Sequence, residues 1–159
     1  MLESRAMCTV SIELEDEAPI VIGPSPWRNR RVSHIVGGTI AGERLTGRVM
    51  SGGGDWSELG MDDNGDALTL LDVRSLWKTD DGALIYVAYQ GRLVIPKDVL
   101  GIFREPEKVE ELPADRYYFR IAATFETADP RYVRLNRIVA AGVGRRTAKG
   151  VDYDIFELA

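Results

Sequence analysis

Tyr117-Tyr118-Phe119-Arg120, followed by Phe125-Glu126-Thr127, places ionisable groups in a segment that reads as a β-strand. Residues on a strand alternate between faces. Tyr118, Arg120, Ala122, Thr124 and Glu126 therefore share one face, and Phe119, Ile121, Ala123 and Phe125 share the other. On the first face small side chains separate a cation from a carboxylate, leaving room for a ligand. Lodged inside a protein, Glu126 would have its pKa raised by desolvation and could exchange protons near neutrality. Arg120 could hold an oxyanion or a substrate carboxylate. The two lie about 20 Å apart on an extended strand, so neither can pair with the other. Each needs a partner such as Asp55, Asp72, Arg74, Arg134 or Arg137. The opposite facing is also open: Phe119 and Phe125 would then fill a core, and Arg120 and Glu126 would lie outside, at a subunit contact such as a homodimer would make.

Asp55 is the second candidate acid. It follows Gly52-Gly53-Gly54 and precedes Trp56. Glycines permit unusual dihedrals and close backbone approach, so this loop can aim one acid and one indole at a cavity mouth. The structural alternative has Asp55 capping backbone amides. Common catalytic signatures are absent, including a Gly-x-Ser-x-Gly elbow, a P-loop and a dinucleotide fingerprint. His34 is the only histidine and lies in an apolar strand, so it reads as structural, and a His-rich metal site is ruled out. Asp62-Asp63-Asn64-Gly65-Asp66 lacks the ligand spacing of a calcium loop and reads as a hairpin turn at Asn64-Gly65.

These groups must be positioned by a chain of 159 residues, one domain by default (1–159), with 45% hydrophobic and 28% charged residues. Cys8, the lone cysteine, alternates with Val10, Ile12 and Leu14 and reads as a buried strand residue; a reducing cytoplasm fits. No apolar run approaches the roughly 18 residues of a membrane span, and Met1–Met7 has no signal-peptide core. A net charge of −5 argues against nucleic acid as a partner. The basic clusters Arg28-Asn29-Arg30-Arg31 and Arg145-Arg146 read as solvated strand ends, with an anion-recruiting rim as the alternative.

Sixteen glycines and short runs rich in Val, Ile, Leu and aromatics predict an all-β protein: a closed or nearly closed antiparallel barrel of about eight to ten strands. Strands are expected at 5–15, 30–41 (with a bulge or bend at Gly37-Gly38) and 44–50. Hairpins are expected at 67–78 with 83–93 across Asp80-Asp81-Gly82, and at 117–127 with 132–145 across Ala128-Asp129-Pro130-Arg131. A last strand covers 151–158, one short helix covers 96–103, and 104–113 reads as an exposed loop.

Gly37-Gly38-Thr39, Gly47, Gly52-Gly53-Gly54-Asp55-Trp56, Thr79-Asp80-Asp81-Gly82-Ala83-Leu84-Ile85, Tyr118-Phe119-Arg120, Phe125-Glu126-Thr127, Arg131-Tyr132 and Leu135-Asn136 occur in one order. In that order they resemble the domain-of-unknown-function 3237 family, from about Arg30 to the C-terminus. The resemblance implies a lipocalin-like barrel with a central cavity and brings no agreed reaction. Arg134 and Ser75 stand where the family usually has aromatics, which implies a differently shaped cavity.

The leading expectation is an enzyme without metal or redox cofactor. It would catalyse proton transfer (isomerisation, elimination or cyclisation) on an apolar, aromatic or polyketide-like small molecule. Asp55 and Glu126 would be acid and base, Arg120 and Arg74 would stabilise negative charge, and Trp56, Trp77, Tyr118 and Asn136 would line the pocket. The rival is a non-catalytic carrier of a hydrophobic ligand; a third reading is a filled structural barrel.

Overall fold

The computed structural model, which describes residues 1–159, turns the alternating segments into ten strands. They are β1 (Ser4–Leu14), β2 (Ile20–Pro24), β3 (Asn29–Ala41), β4 (Gly47–Val49), β5 (Gly54–Met61), β6 (Ala67–Thr79), β7 (Leu84–Ile95), β8 (Tyr118–Glu126), β9 (Val139–Arg146) and β10 (Gly150–Leu158). One short helix, α1 (Leu100–Arg104), and 3₁₀ turns at Val109–Glu111, Ala114–Arg116 and Pro130–Arg137 complete the chain. No helix is long and apolar enough to cross a membrane.

Every pairing is antiparallel, and the sheet closes on itself. Neighbours run β1-β10-β9-β8-β7-β6; β6 then pairs with both β4 and β5, both pair with β3, and β3 returns to β1. β4 and β5 occupy successive stretches of one position in the wall, which makes an eight-stranded barrel with two extra strands, β2 lying outside the circuit. Closure removes the exposed sheet edges that would otherwise invite aggregation.

The alternation that predicts strands also sets their facing. On β6, Thr69, Leu71, Val73, Ser75 and Trp77 point inward, while Leu70, Arg74 and Leu76 point out. On β8, Phe119, Ile121, Ala123 and Phe125 point inward. Cys8 is buried as expected, and desolvation pushes its thiol up to about 12.

The Asp80-Asp81-Gly82 hairpin forms with Gly82 at φ +91°, the left-handed conformation expected of it. The Asp62–Asp66 turn forms likewise, the Asp62 carboxylate accepting from the amides of Asn64 and Asp66. At Gly37 the register between β3 and β1 shifts.

Four expectations change. The segment 132–137 is not a strand but part of a 3₁₀ helix, because Asp129 accepts from the Arg131 amide at 3.0 Å and Pro130 opens the turn. β8 therefore meets β9 only from Thr124↔Val139 onward, and Glu126 is opposite Tyr86 of β7 rather than Val133 or Arg134. The segment 104–113 is no exposed loop, since Val109 and Leu112 are buried in the core. Two strands are additions: β5, which continues the glycine loop and pairs with β3 and β6, and β2, whose Ile20, Val21 and Ile22 are exposed and which adds to the start of β3.

Candidate functional site

The barrel is filled at one end and hollow at the other. Trp77, Phe125, Ile85, Val87 and Ile155 pack the filled end. At the opposite end a cavity of about 470 Å³ opens between β3, β5, β6, β7, β8 and β10, with the ends of β1 and β9 at its edge. Leu71, Leu93, Phe103 and Phe119 give it apolar walls; Arg31, Ser33, Asp55, Thr69 and Arg146 supply its polar groups; residues 14–19 and 146–151 form its rim. Below it, Phe119, Tyr153 and Tyr89 stack edge to face, with successive ring centroids 5.4 Å apart.

Asp55 reaches this cavity because the glycine loop draws tight against β6. A Cβ on Gly53 would lie 2.5 Å from the Arg74 carbonyl oxygen, so only glycine permits this approach. Asp55 then shares the inner face of β5 with buried Ser57. The Ser57 hydroxyl donates to Asp55 Oδ2 at 2.6 Å, and the Asp72 amide donates to Oδ1 at 3.1 Å. Burial raises the Asp55 carboxyl above the ordinary carboxylate range; the Ser57 and Asp72 hydrogen bonds and the Arg31 charge bring it part of the way back. The Tyr89 and Tyr153 phenols beneath are held well above their usual range by burial, and both feel the Asp55 charge.

Two arginines that strand parity turns inward share the cavity with the acid, Arg31 from the neighbouring strand β3 and Arg146 from β9. Arg31 and Ser33 share a face with buried Ile35 on β3; Arg146 shares one with Ala140, Gly142 and Gly144 on β9. None of the ion pairs in the chain involves Arg31 or Arg146. Burial lowers the pKa of both guanidinium groups, and the charge of Arg31 lowers that of Arg146 further. No group of three His, Cys, Asp or Glu side chains is placed to hold a metal ion.

A closed, cavitied barrel of this order of strands can be set beside known proteins. The family model described as "Protein of unknown function (DUF3237)" matches residues 3–158. The chain belongs to the DUF3237 family. Over 157 residues it is 30% identical to a UPF0311 protein of Rhodopseudomonas palustris, covering 99% of this chain and 97% of the relative. A solved beta-barrel like protein from Acinetobacter baumannii AYE is similar with 33% identity and a TM-score of 0.80, over 100% of this chain and 97% of that one. An enzyme from Penicillium herquei shares the fold at 17% identity and a TM-score of 0.63, over 99% of this chain and 95% of that one.

In this DUF3237 member the residues singled out from sequence separate. Asp55 alone lines the cavity. Tyr118, Arg120 and Glu126 lie on the outer face of β8, since the phenylalanines of that strand take the interior. Arg120 stacks over Tyr118 at 5.1 Å and donates to its neighbouring carbonyl, that of Phe119. Trp56 and Arg74 also meet outside, the guanidinium 5.8 Å from the indole centroid. Trp77 is interior but belongs to the filled end. Asn136 is a brace: its side-chain amide accepts from the Thr127 amide at 2.9 Å and donates to the Thr127 carbonyl at 2.8 Å. His34 lies outside, with Nδ1 3.2 Å from Glu15. Arg31 and Arg146 line the cavity rather than ending as solvated strand ends, the placement nearer to the alternative of an anion-recruiting rim, and parity counted from Ile35 and from Ala140 is the signal that turns them inward.

Two predictions arise from this placement. Arg120→Gln and Glu126→Gln should each change stability by no more than about 0.5 kcal/mol, as is usual for surface positions. A clear drop in the urea midpoint of either would return that side chain to the interior. Gly144→Val should destabilise by ~1–3 kcal/mol through overpacking, because a Cβ there would lie 2.6 Å from Cγ of Phe119. An unchanged urea midpoint would show that the cavity wall yields at Phe119.

Proposed function

We propose that this protein is a cofactor-independent enzyme that moves a proton on an apolar, aromatic or polyketide-like small molecule, in an isomerisation, elimination or cyclisation. One observation carries the reading: a half-buried carboxyl with a raised pKa, Asp55, faces an apolar-walled cavity whose other polar groups include two arginines that form no ion pair. A general base works best with a pKa near the working pH. Asp55 takes a proton from a carbon next to a carbonyl, or returns one, and its Ser57 and Asp72 hydrogen bonds fix its orientation. Negative charge developing on the substrate oxygen is stabilised by Arg31 and Arg146, the role expected of Arg120 and Arg74. The same barrel serves an enzyme in P. herquei, although a fold does not by itself fix a function. The buried lone thiol suits a reducing compartment, which supports a cytoplasmic setting.

Exchange into solvent tests this without a known substrate. Aromatic ketones with an acidic C–H are incubated with the protein in D₂O and followed by proton NMR. Accelerated loss of the α-proton signal supports proton transfer. Saturable binding with no acceleration across the series supports the carrier reading instead.

A further inference from the structure

Arg31 carries a feature that the proton-transfer reading leaves unused. Its Nε is buried with no hydrogen-bond partner, although burying an unpaired donor on a cation is expensive. Arg146 lies with its guanidinium 5.1 Å from the Phe103 ring centroid, a stack that fixes its position and leaves its edge free. Arg31 comes from β3 and Arg146 from β9, separated in the wall by β1 and β10, and both line the same cavity. None of the acids that line the cavity pairs with them: Glu15 is engaged by His34, no pair forms with Asp16 or Glu17, and Asp55 acts on Arg31 through its charge without forming an ion pair.

Two desolvated guanidinium groups in one cavity repel one another, and a planar oxyanion between them removes the repulsion and fills the open donors. We infer that the cavity takes an aromatic monoanion, its carboxylate held between Arg31 and Arg146 and its ring against Phe103, Phe119, Leu71 and Leu93. The charge count favours one negative charge over two. Four acids line the cavity, Asp55 inside and Glu15, Asp16 and Glu17 at its rim, against three cations, Arg31, Arg146 and the rim's Lys149, a balance that opposes a dianion such as a phosphate monoester. The inference rests on the same site as the proposed reaction but concerns what is bound, not what is done to it.

Isothermal titration with 2-naphthoate, 2-naphthamide and 2-naphthyl phosphate tests it, since none of the three has an α-proton to exchange. The carboxylate should bind at least ~10-fold more tightly than the amide, as loss of a charge-assisted hydrogen bond implies. It should also bind more tightly than the phosphate. In Arg31→Lys and Arg146→Lys, which keep the charge and lose the planar fork, the carboxylate-to-amide ratio should fall several-fold, with the melting temperature checked for each. Equal binding of carboxylate and amide, no saturable binding of the carboxylate up to millimolar concentration, or tightest binding of the phosphate would overturn the inference in the wild-type protein alone. If naphthoate binds and no ketone exchanges, the clamp stands and the catalytic reading fails. If ketones exchange and the carboxylate is not preferred, the reverse holds.

Discussion

Asp55→Asn should slow catalysed proton exchange by ~10²–10⁴-fold, the usual contribution of a positioned general base, while raising the melting temperature at neutral pH. The two effects have one cause. Burial raises the carboxyl pKa in the folded protein above its unfolded value, so the folded chain holds that proton more tightly. The stability this gives is fully present below the ordinary aspartate pKa of about 4 and is lost as the pH rises through the folded value. Asparagine stays neutral throughout. The stability gap between variant and wild type should therefore be near zero in acid and open as the pH rises toward neutrality. The substitution is geometrically mild: the asparagine oxygen can still accept from the Asp72 amide, and its NH₂ can donate to Ser57 by reversal of that bond. The structural reading of Asp55, as a cap on backbone amides, makes the opposite prediction, a lower melting temperature at neutral pH. Thermal denaturation between pH 4 and 8, with the exchange assay, separates them. Undiminished exchange in a folded variant would remove Asp55 from the chemistry.

The barrel was legible because its strands alternate in–out almost without exception. Along β6 every second residue from Thr69 to Thr79 is buried, and such a pattern has only one periodicity to report. Facing was not legible from β8 alone, because a strand with Phe119, Ile121, Ala123 and Phe125 on one side and Arg120 and Glu126 on the other admits two orientations. What decides is the rest of the barrel. Phe119 and Phe125 join rings contributed by Tyr153 and Trp77, from strands far away in sequence, and that apolar burial outweighs any gain from placing two unpaired ions inside. Asp55 could be found locally, since three glycines before an acid mark a close approach whatever the topology. Arg31 and Arg146 could not, because their meaning depends on β3 and β9 reaching the same mouth. The helical turn at 130–137 was hidden for another reason. Its residues have the composition of a strand, and the decision lies in a capping aspartate and in Asn136, whose partner Thr127 lies across the turn.

Trp77→Ala should lower stability by ~3–5 kcal/mol, a fall in melting temperature on the order of 10 °C for a chain of this size, whereas Trp77→Phe should stay within about 1 kcal/mol of wild type. The indole is 2% exposed and meets Phe125 edge to face, with centroids 5.8 Å apart, so truncation opens a large void among rings that cannot collapse into it. Its Nε1 is buried without an acceptor, a burden of about 1–3 kcal/mol that phenylalanine does not carry. Removing that burden offsets much of the smaller ring's lost contact. Because Trp77 packs the filled end and does not line the cavity, Trp77→Phe should leave naphthoate affinity and ketone exchange unaltered. Urea denaturation of both variants with titration of the phenylalanine form checks each part. Equal destabilisation by alanine and phenylalanine would mean that the indole nitrogen has a partner in solution. A loss of ligand affinity in a stable Trp77→Phe protein would restore this residue to the pocket and extend the cavity through the barrel floor.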